Sequence, residues 1–161
     1  MKKIILFDPE KCVGCKQCSL SCSFAKEKSF SLGKARIKIF WVYKKDMFVP
    51  ISCQHCEKPL CLDVCPTGAI SRNRYTGAIV TDDERCNGCK ACLEICPLNA
   101  VIWDMDRECV MKCDLCEGDP ECLKHCLYGA LSWVEANEPG ISRKHSRANY
   151  LAEVMTKLKE T

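Results

Sequence analysis

The stretch CVGCKQCSLSC, residues 12–22, decides how this chain folds. Its cysteines have the spacing C-x2-C-x2-C-x3-C, which returns in CNGCKACLEIC at residues 86–96. Together with two further runs, these stretches take up sixteen of the seventeen cysteines. The four runs are Cys12, Cys15, Cys18, Cys22; Cys53, Cys56, Cys61, Cys65; Cys86, Cys89, Cys92, Cys96; and Cys113, Cys116, Cys122, Cys126. Such runs are typical ligands of cubane iron–sulfur clusters, and sixteen thiolates are enough for four 4Fe–4S clusters.

The spacing explains why a cluster fits. Two residues between cysteines let a short loop present three sulfurs to three iron corners. Gly14 and Gly88 precede the second cysteine of their runs, where a missing Cβ permits close approach of the backbone to the cluster. The fourth cysteine lies about one helical turn beyond the third and points away from its own loop. In two-cluster ferredoxins it binds the neighbouring cluster, and we expect the same exchange here.

Two other uses of cysteine fit less well. Disulfide scaffolds are typical of short secreted chains, but the cysteine count is odd and no secretory signal is visible. Zinc sites use two separated C-x2-C pairs that close one tetrahedron, whereas these runs leave no such set within each run. A zinc-organised interaction module remains the alternative from another functional class.

Composition restricts the remaining possibilities. The 47% hydrophobic fraction includes the seventeen cysteines, so other apolar residues are scarce for a globular domain. We therefore expect clusters to fill the core and the metal-free chain to be largely unfolded. A net charge of +3 without a basic, aromatic-rich stripe argues against nucleic-acid binding. No catalytic triad, paired-carboxylate signature or nucleotide-binding glycine loop is present, which predicts a non-catalytic protein.

The sequence also predicts where the protein works. No apolar run is long enough to span a membrane, and no export signal precedes the first cysteines. Thiolates reserved for metal clusters suit a reducing compartment. We predict a cytoplasmic protein without a direct membrane span.

The sequence pattern indicates an internal duplication. A shift of 74 residues superposes Gly14 on Gly88 and every cysteine of the first run on the third. The second run aligns with the fourth at an offset of 60 to 61. The halves, about 4–70 and 78–134, are therefore copies. Each copy has the order strand, cluster loop, short helix, strand, which predicts an α+β, duplicated ferredoxin-like fold.

Several strands can be predicted. Ile70–Val80, with Tyr75-Thr76-Gly77 at its middle, is typical of a hairpin, and Val101–Trp103 and Leu131–Trp133 of single strands. Residues 23–52 are an insert whose segments Arg36–Tyr43 and Met47–Ile51 predict a β-hairpin, with Ile37, Ile39, Trp41 and Tyr43 on one face.

Residues 137–161 form a C-terminal tail in which a helix is predicted from Ser146 to Lys159. Its apolar stripe consists of Ala148, Leu151, Ala152, Met155 and Leu158. Packing on its own domain and docking to a larger partner both remain open for this helix.

The runs resemble a known family. CQHCEKPLC at 53–61, VCPTGAI at 64–70 and KCDLC at 112–116 are similar to the iron–sulfur subunits of dimethyl sulfoxide reductase, formate dehydrogenase and hydrogenase complexes, which carry four clusters. The resemblance covers about residues 4–134. It departs from the family at Ser23 and Leu127, where the family has proline. The small size and the stretch EGDPEC at 117–122 most resemble the small subunits of tungsten aldehyde oxidoreductases and benzoyl-coenzyme A reductases.

The resemblance implies how the ligands are shared. The cluster sets would be Cys12, Cys15, Cys18 with Cys126; Cys113, Cys116, Cys122 with Cys22; Cys53, Cys56, Cys61 with Cys96; and Cys86, Cys89, Cys92 with Cys65. One lobe would combine residues 1–22 with 104–136, and the other would span 53–103. The insert 23–52 and the tail 137–161 would lie outside both lobes.

The resemblance also implies an activity. The chain would carry electrons between a large catalytic oxidoreductase subunit, of tungsten- or molybdenum-pterin type, and a flavin subunit or ferredoxin, under anaerobic conditions. Alternatives are service to a hydrogenase, formate dehydrogenase or carbon monoxide dehydrogenase, a freely diffusing polyferredoxin, or a redox sensor, although no sensor output domain is visible.

Three further residues attract attention because they lie near or within the runs. Cys109 is left over, and we expect a buried free thiol. His55 and His125 lie within cluster runs, where a ring N–H near a sulfur would raise a reduction potential. We expect both to be ordinary polar surface residues instead.

Overall fold

The computed structural model describes residues 3–135, so the predicted tail helix lies outside the described residues. Twelve helices and strands follow one another: β1 Lys3–Phe7, α1 Gln17–Glu27, β2 Ile37–Val42, β3 Met47–Ser52, α2 Leu60–Asp63, β4 Ile70–Arg72, β5 Ile79–Thr81, α3 Ala91–Glu94, β6 Ile102–Asp104, β7 Cys109–Met111, α4 Glu121–Lys124 and β8 Leu131–Glu135. Short 3-10 turns cover Pro9–Lys11, Tyr43–Lys45 and Leu115–Gly118. The predicted mixture of helices and strands is confirmed.

The strands form four separate antiparallel pairs: β1 with β8, β2 with β3, β4 with β5, and β6 with β7. The first pair joins the two ends of the described chain, with Lys3 opposite Glu135 and Phe7 opposite Leu131. Among the helices, α1 packs against α4 and α2 against α3. The chain therefore returns to its beginning, and the first and fourth cysteine runs come together.

The predicted hairpins are both present. In the β4–β5 hairpin the Asn73 side-chain oxygen accepts hydrogen bonds from the N–H groups of Tyr75 and Thr76, at 2.8 and 3.0 Å. This local bond stabilises the turn that the sequence marks. The insert forms β2 and β3, which pair antiparallel with Ile37 opposite Ser52 and Val42 opposite Met47.

The insert hairpin differs from the prediction in its apolar face. Ile37 is buried, but Trp41 is 62% exposed. Tyr43, predicted to end the strand, lies in the following 3-10 turn and is 66% exposed. At the far end of the hairpin the opposite face is the buried one, because Val42 and Val49 pack with Ala100 in an apolar group.

The core is divided into small apolar groups in which cysteines take a large share. One group contains Ile5, Phe7, Leu115 and Leu131 together with Cys18, Cys22 and Cys122. A second packs Ile70, Ile79, Val101 and Val110 around Cys92. Buried aliphatic residues alone therefore do not fill the interior, because buried cysteines share it with them.

The structure explains why serine, rather than the proline that the resemblance implies, follows Cys22. Helix α1 continues five residues past Cys22, whereas α3 ends two residues before Cys96. Proline inside α1 would remove a helical hydrogen bond. Ser23 is fully buried; its hydroxyl donates to the Leu20 carbonyl at 2.9 Å and accepts from the Ser31 N–H at 3.1 Å. It therefore fixes the start of the insert.

Candidate iron–sulfur centres

The loops of the first and third runs share one backbone conformation. Gly14 and Gly88 have φ values of 71° and 70°, and Lys16 and Lys90 have 60° and 64°. The left-handed lysine immediately precedes α1 in one loop and α3 in the other. Left-handed geometry is uncommon outside glycine, so its return at equivalent positions is a specific feature of these loops.

The two glycines are required for packing as well as for their backbone angles. A Cβ on Gly14 would lie 2.6 Å from the Phe48 ring, and one on Gly88 would lie 3.0 Å from the Glu108 carbonyl oxygen. The sequence predicts only that these glycines allow the approach of a cluster. The structure adds contacts with the protein itself, which the sequence did not indicate.

Four cysteines line a first cavity. Cys12, Cys15 and Cys18 reach it from the first run, and Cys126 from the end of the fourth. Ile39 and Pro50 of the insert hairpin close one side, and His125 also contributes to the wall. Residues from opposite ends of the described chain thus share one cavity.

A second cavity has the complementary composition. Cys113, Cys116 and Cys122 of the fourth run line it together with Cys22, the last cysteine of the first run. In each cavity, three cysteines of one run lie beside the fourth cysteine of the other run. The resemblance implies that the ligands are exchanged between these same two runs.

The cysteines of the second and third runs also lie together. Cys53, Cys61, Cys65, Cys86 and Cys96 pack against the buried group that contains Cys92. Cys53 lies within electrostatic range of Cys56 and Cys61, and Cys92 within range of Cys61 and Cys86. The second cysteine of each of the first three runs, namely Cys15, Cys56 and Cys89, is exposed.

Burial changes the acidity of several thiols. Loss of hydration raises the pKa of Cys18 to about 11 and that of Cys92 to about 11. Burial likewise raises the pKa of Cys113 and Cys122, and neighbouring cysteines add to the effect. Such thiols lose their protons only when a cation binds to the sulfur and compensates its negative charge. Four converging sulfurs in an apolar cavity therefore fit an iron–sulfur core, which supplies that compensation.

Several N–H groups point at sulfur atoms. The backbone N–H of Arg36 donates to Cys22 Sγ at 3.3 Å, and that of Ala100 to Cys96 Sγ at 3.4 Å. Lys112 Nζ donates to Cys61 Sγ at 3.2 Å. Hydrogen bonds to the ligating sulfurs are among the means by which proteins adjust cluster potentials.

All seventeen cysteines lie within residues 3–135, and each is free of a disulfide bond. Across these described residues, no three cysteine, histidine or acidic side chains converge tightly enough to hold a single metal ion. The sulfurs of the first and fourth runs surround open cavities instead.

The loop of the fourth run is held by an ion pair that the sequence did not reveal. Lys26 of α1 lies 2.5 Å from Asp114 Oδ2, while Asp114 Oδ1 accepts the Cys116 N–H at 2.9 Å. Burial is the largest single effect and raises the pKa of Asp114, but the hydrogen bonds from Lys26 and the Cys116 N–H, together with the charge of Lys26, outweigh it and lower the pKa. The pair connects α1, which carries Cys18 and Cys22 of the first run, to the fourth run.

The prediction for His55 was wrong. Its ring is buried, and Nδ1 accepts the Ile79 N–H at 3.0 Å, so this histidine ties the second run to β5. The hydrophobic period of this short, irregular segment gives no sign of that burial. His125 is half exposed, as expected. Cys109 is 2% exposed and free, which confirms the prediction of a buried thiol.

Comparison with known proteins now defines the class. Residues 44–136 match the model of the 4Fe–4S dicluster domain family. The chain belongs to this family.

Several curated relatives match over most of the chain. The polyferredoxin-like subunit of an aliphatic sulfonate oxidoreductase from Pyrococcus furiosus is 36% identical, over 89% of this chain and 84% of its own. A subunit of the anaerobic dimethyl sulfoxide reductase from Haemophilus influenzae is 32% identical, over 82% and 73%. An electron transfer subunit of thiosulfate reductase from Salmonella typhi is 29% identical, over 87% and 79%.

Among solved structures, a component of the active-site complex BamBC of benzoyl-coenzyme A reductase with benzoyl-coenzyme A is 25% identical, with a TM-score of 0.49 and coverage of 99% of this chain and 97% of the other.

Between residues 3 and 135, none of the helices has both the length and the apolar content needed to cross a bilayer.

Proposed function

We propose that this chain holds four 4Fe–4S clusters and conducts single electrons through them within a larger oxidoreductase. It is an iron–sulfur electron-transfer subunit rather than a catalyst. Family membership and the electron-transfer role named for the thiosulfate reductase relative support this assignment. The observation that carries it furthest is the meeting of Cys126 with Cys12, Cys15 and Cys18 in one cavity.

The ligands are the sixteen cysteines of the four runs. One set contains Cys12, Cys15, Cys18 and Cys126, and a second contains Cys113, Cys116, Cys122 and Cys22. The two cysteine-lined cavities support these sets. The remaining sets are Cys53, Cys56, Cys61 with Cys96, and Cys86, Cys89, Cys92 with Cys65, and the shared core of the second and third runs supports them.

The sets belong to two ferredoxin-like lobes. Residues 1–22 and 104–136 make the first lobe, which the pairing of β1 with β8 and the packing of α1 on α4 support. Residues 53–103 make the second, which the β4–β5 pair and the packing of α2 on α3 support. The insert 23–52 braces the first cavity through Ile39 and Pro50.

The bound clusters supply reversible one-electron reduction. This chain's residues hold them in apolar surroundings, exclude water, and direct N–H groups at the ligating sulfurs, as Arg36 and Ala100 do. Burial and sulfur hydrogen bonds set the potential of each site. A line of such sites lets an electron cross the subunit in short steps.

The partner is a large catalytic subunit of a tungsten- or molybdenum-pterin oxidoreductase in the cytoplasm, with a flavin subunit or a ferredoxin as the second electron carrier. The support is the assembly named for the relatives: sulfonate, dimethyl sulfoxide and thiosulfate oxidoreductases. We expect anaerobic purification of the native protein to recover a complex containing a large subunit with tungsten or molybdenum. A brown species of 18.2 kDa that elutes alone would instead identify a freely diffusing polyferredoxin.

A further inference from the structure

We propose that Lys112 is a buried charge that raises the reduction potential of the cluster held by Cys53, Cys56, Cys61 and Cys96, and so controls the electron step between the two lobes. This inference rests on the proposed function. It adds a specific residue, a specific cluster and a direction of effect.

Lys112 belongs to one run by sequence and to another by contact. It follows β7, which ends at Met111, and precedes Cys113, the first cysteine of the fourth run. Its side chain extends to the second run, where Nζ lies 3.2 Å from Cys61 Sγ. The residue is only 7% exposed, so water screens its charge poorly.

The groups that face the Lys112 ammonium are cysteine sulfurs rather than carboxylates. Across residues 3–135 no carboxylate lies within ion-pair distance of Lys112; the groups in electrostatic range are Cys53, Cys61 and Cys96, and also Cys92 of the third run. By contrast, Lys26, Lys34 and Lys124 each contact a carboxylate. A buried charge without a partner is strongly unfavourable. Lys112 is therefore compatible with its site only when the surrounding thiolates are negative.

The position of Lys112 is the junction between two cluster sets. Cys113, its chain neighbour, lies within electrostatic range of Cys53 as well as of Cys22 and Cys122. The first lobe and the second lobe therefore approach each other here. An electron that leaves the site of Cys22, Cys113, Cys116 and Cys122 and enters the site of Cys53, Cys56, Cys61 and Cys96 passes beside this ammonium.

The direction of the effect follows from charge. With four thiolates, an oxidised 4Fe–4S site carries about −2, and one added electron makes it about −3. The electron gained at this site is the one lost at its neighbour, and no bond is made or broken. A fixed positive charge stabilises the more negative form. Lys112 therefore stabilises the reduced form of the cluster held by Cys53, Cys56, Cys61 and Cys96.

The test is a redox titration of the holo-protein, followed by electron paramagnetic resonance. We expect Lys112→Met and Lys112→Gln to load all four clusters and to lower one midpoint potential more than the other three, because the direct contact of Lys112 is with Cys61 while Cys92 of a neighbouring set is also in electrostatic range. The signal with the largest shift should be the one missing from a Cys96→Ala variant. Because Gln keeps a hydrogen-bond donor but no charge, a shift in both variants assigns the effect to the charge.

Lys58→Met is the matched control. Lys58 lies in the same run, between Cys56 and Cys61, but is exposed, so solvent screens its charge. We expect no shift in this variant, and a shift equal to that of Lys112→Met would overturn the proposal. Unchanged potentials in both neutral Lys112 variants would also overturn it.

Assembly defects give a decision too. If the neutral variants lack the cluster held by Cys53, Cys56, Cys61 and Cys96 while Lys112→Arg contains it, the positive charge is the required property. If Lys112→Arg also lacks it, the side chain acts through its shape and the proposal is wrong. A wild-type protein without four clusters would refute the proposed function itself, which separates the two failures.

Discussion

At the scale of the residue, the proposed function assigns each of the sixteen cysteines to one cluster. The Sγ atoms that line the first cavity come from the first run and from Cys126. We expect Cys126→Ala to remove the cluster of Cys12, Cys15 and Cys18, and about a quarter of the iron, because a cubane needs four ligands. Iron analysis and electron paramagnetic resonance measure the loss.

The matched control is Cys109→Ala. Cys109 is buried and free like many ligands, but it belongs to none of the four sets, so this variant should retain all the iron. Selective loss in Cys126→Ala of the cluster held by Cys113, Cys116 and Cys122 would contradict the pairing.

A glycine prediction also belongs to this scale. In Gly14→Ala the new Cβ would meet the Phe48 ring at 2.6 Å at a φ of 71°, whereas at Gly129, with a φ of 63°, nothing lies within 4 Å. Both variants suffer backbone strain, of order 1–2 kcal/mol. Gly14→Ala adds overpacking, about 1–3 kcal/mol more.

The rate of bleaching of the visible cluster absorbance under denaturant compares the two glycine variants. We expect Gly14→Ala to bleach faster than Gly129→Ala. Equal rates would show that the contact with Phe48 has no importance.

Residue-scale prediction from sequence is possible where spacing carries the information and fails where only tertiary contact does. The cysteine runs repeat, so their spacing predicts that they are ligands. Lys112 and Lys26 are two of 24 basic residues, and no local pattern distinguishes them. Their contacts with Cys61 and Asp114 arise from pairing of distant runs, which a one-dimensional pattern does not display.

At the scale of the element, a buried ion pair joins the insert to the β6–β7 pair. Lys34 Nζ lies 2.5 Å from Asp104 Oδ1, and the Asp104 side chain is fully buried at the end of β6. Burial raises the pKa of Asp104, but the hydrogen bond from Lys34 and the N–H groups of Asp106 and Arg107 outweigh it, and the pKa is lowered.

We expect Asp104→Asn to destabilise the holo-protein by about 1–3 kcal/mol at pH 7, because the variant replaces the charged acceptor of these hydrogen bonds with a neutral amide at a buried position. A lowered folded-state pKa means that the stabilisation is complete above the unfolded value of about 3.9 and is lost as the pH falls through the folded value. The difference in denaturation midpoint between wild type and variant should therefore shrink below about pH 4. A pH-independent difference would contradict the role of this carboxylate.

The sequence predicted the elements better than their environment. Turn residues marked both hairpins, and the expected β4–β5 and β2–β3 pairs are present. The exposure of Trp41 and Tyr43 was not visible in the alternation, because alternation gives the two faces of a strand but not how far the neighbouring core extends. The continuation of α1 beyond Cys22 was also missed, since its cysteine spacing equals that of the shorter α3 loop.

At the scale of the whole molecule, the chain is organised by its cysteines rather than by one apolar core. The aliphatic groups are small, and sulfur atoms border the two largest of them. The sequence indicated this through its shortage of other apolar residues and its repeated runs. The approach of Lys112 and Cys113 to the second run could not be predicted, because it depends on how distant segments of the chain pack.

The iron and sulfide content of anaerobically purified protein, combined with electron paramagnetic resonance after dithionite reduction, tests whether the cysteines hold four clusters. We expect about sixteen iron and about sixteen sulfide per chain, with signals from four interacting 4Fe–4S clusters. About eight iron per chain, or zinc without a paramagnetic iron signal, would contradict a four-cluster electron path.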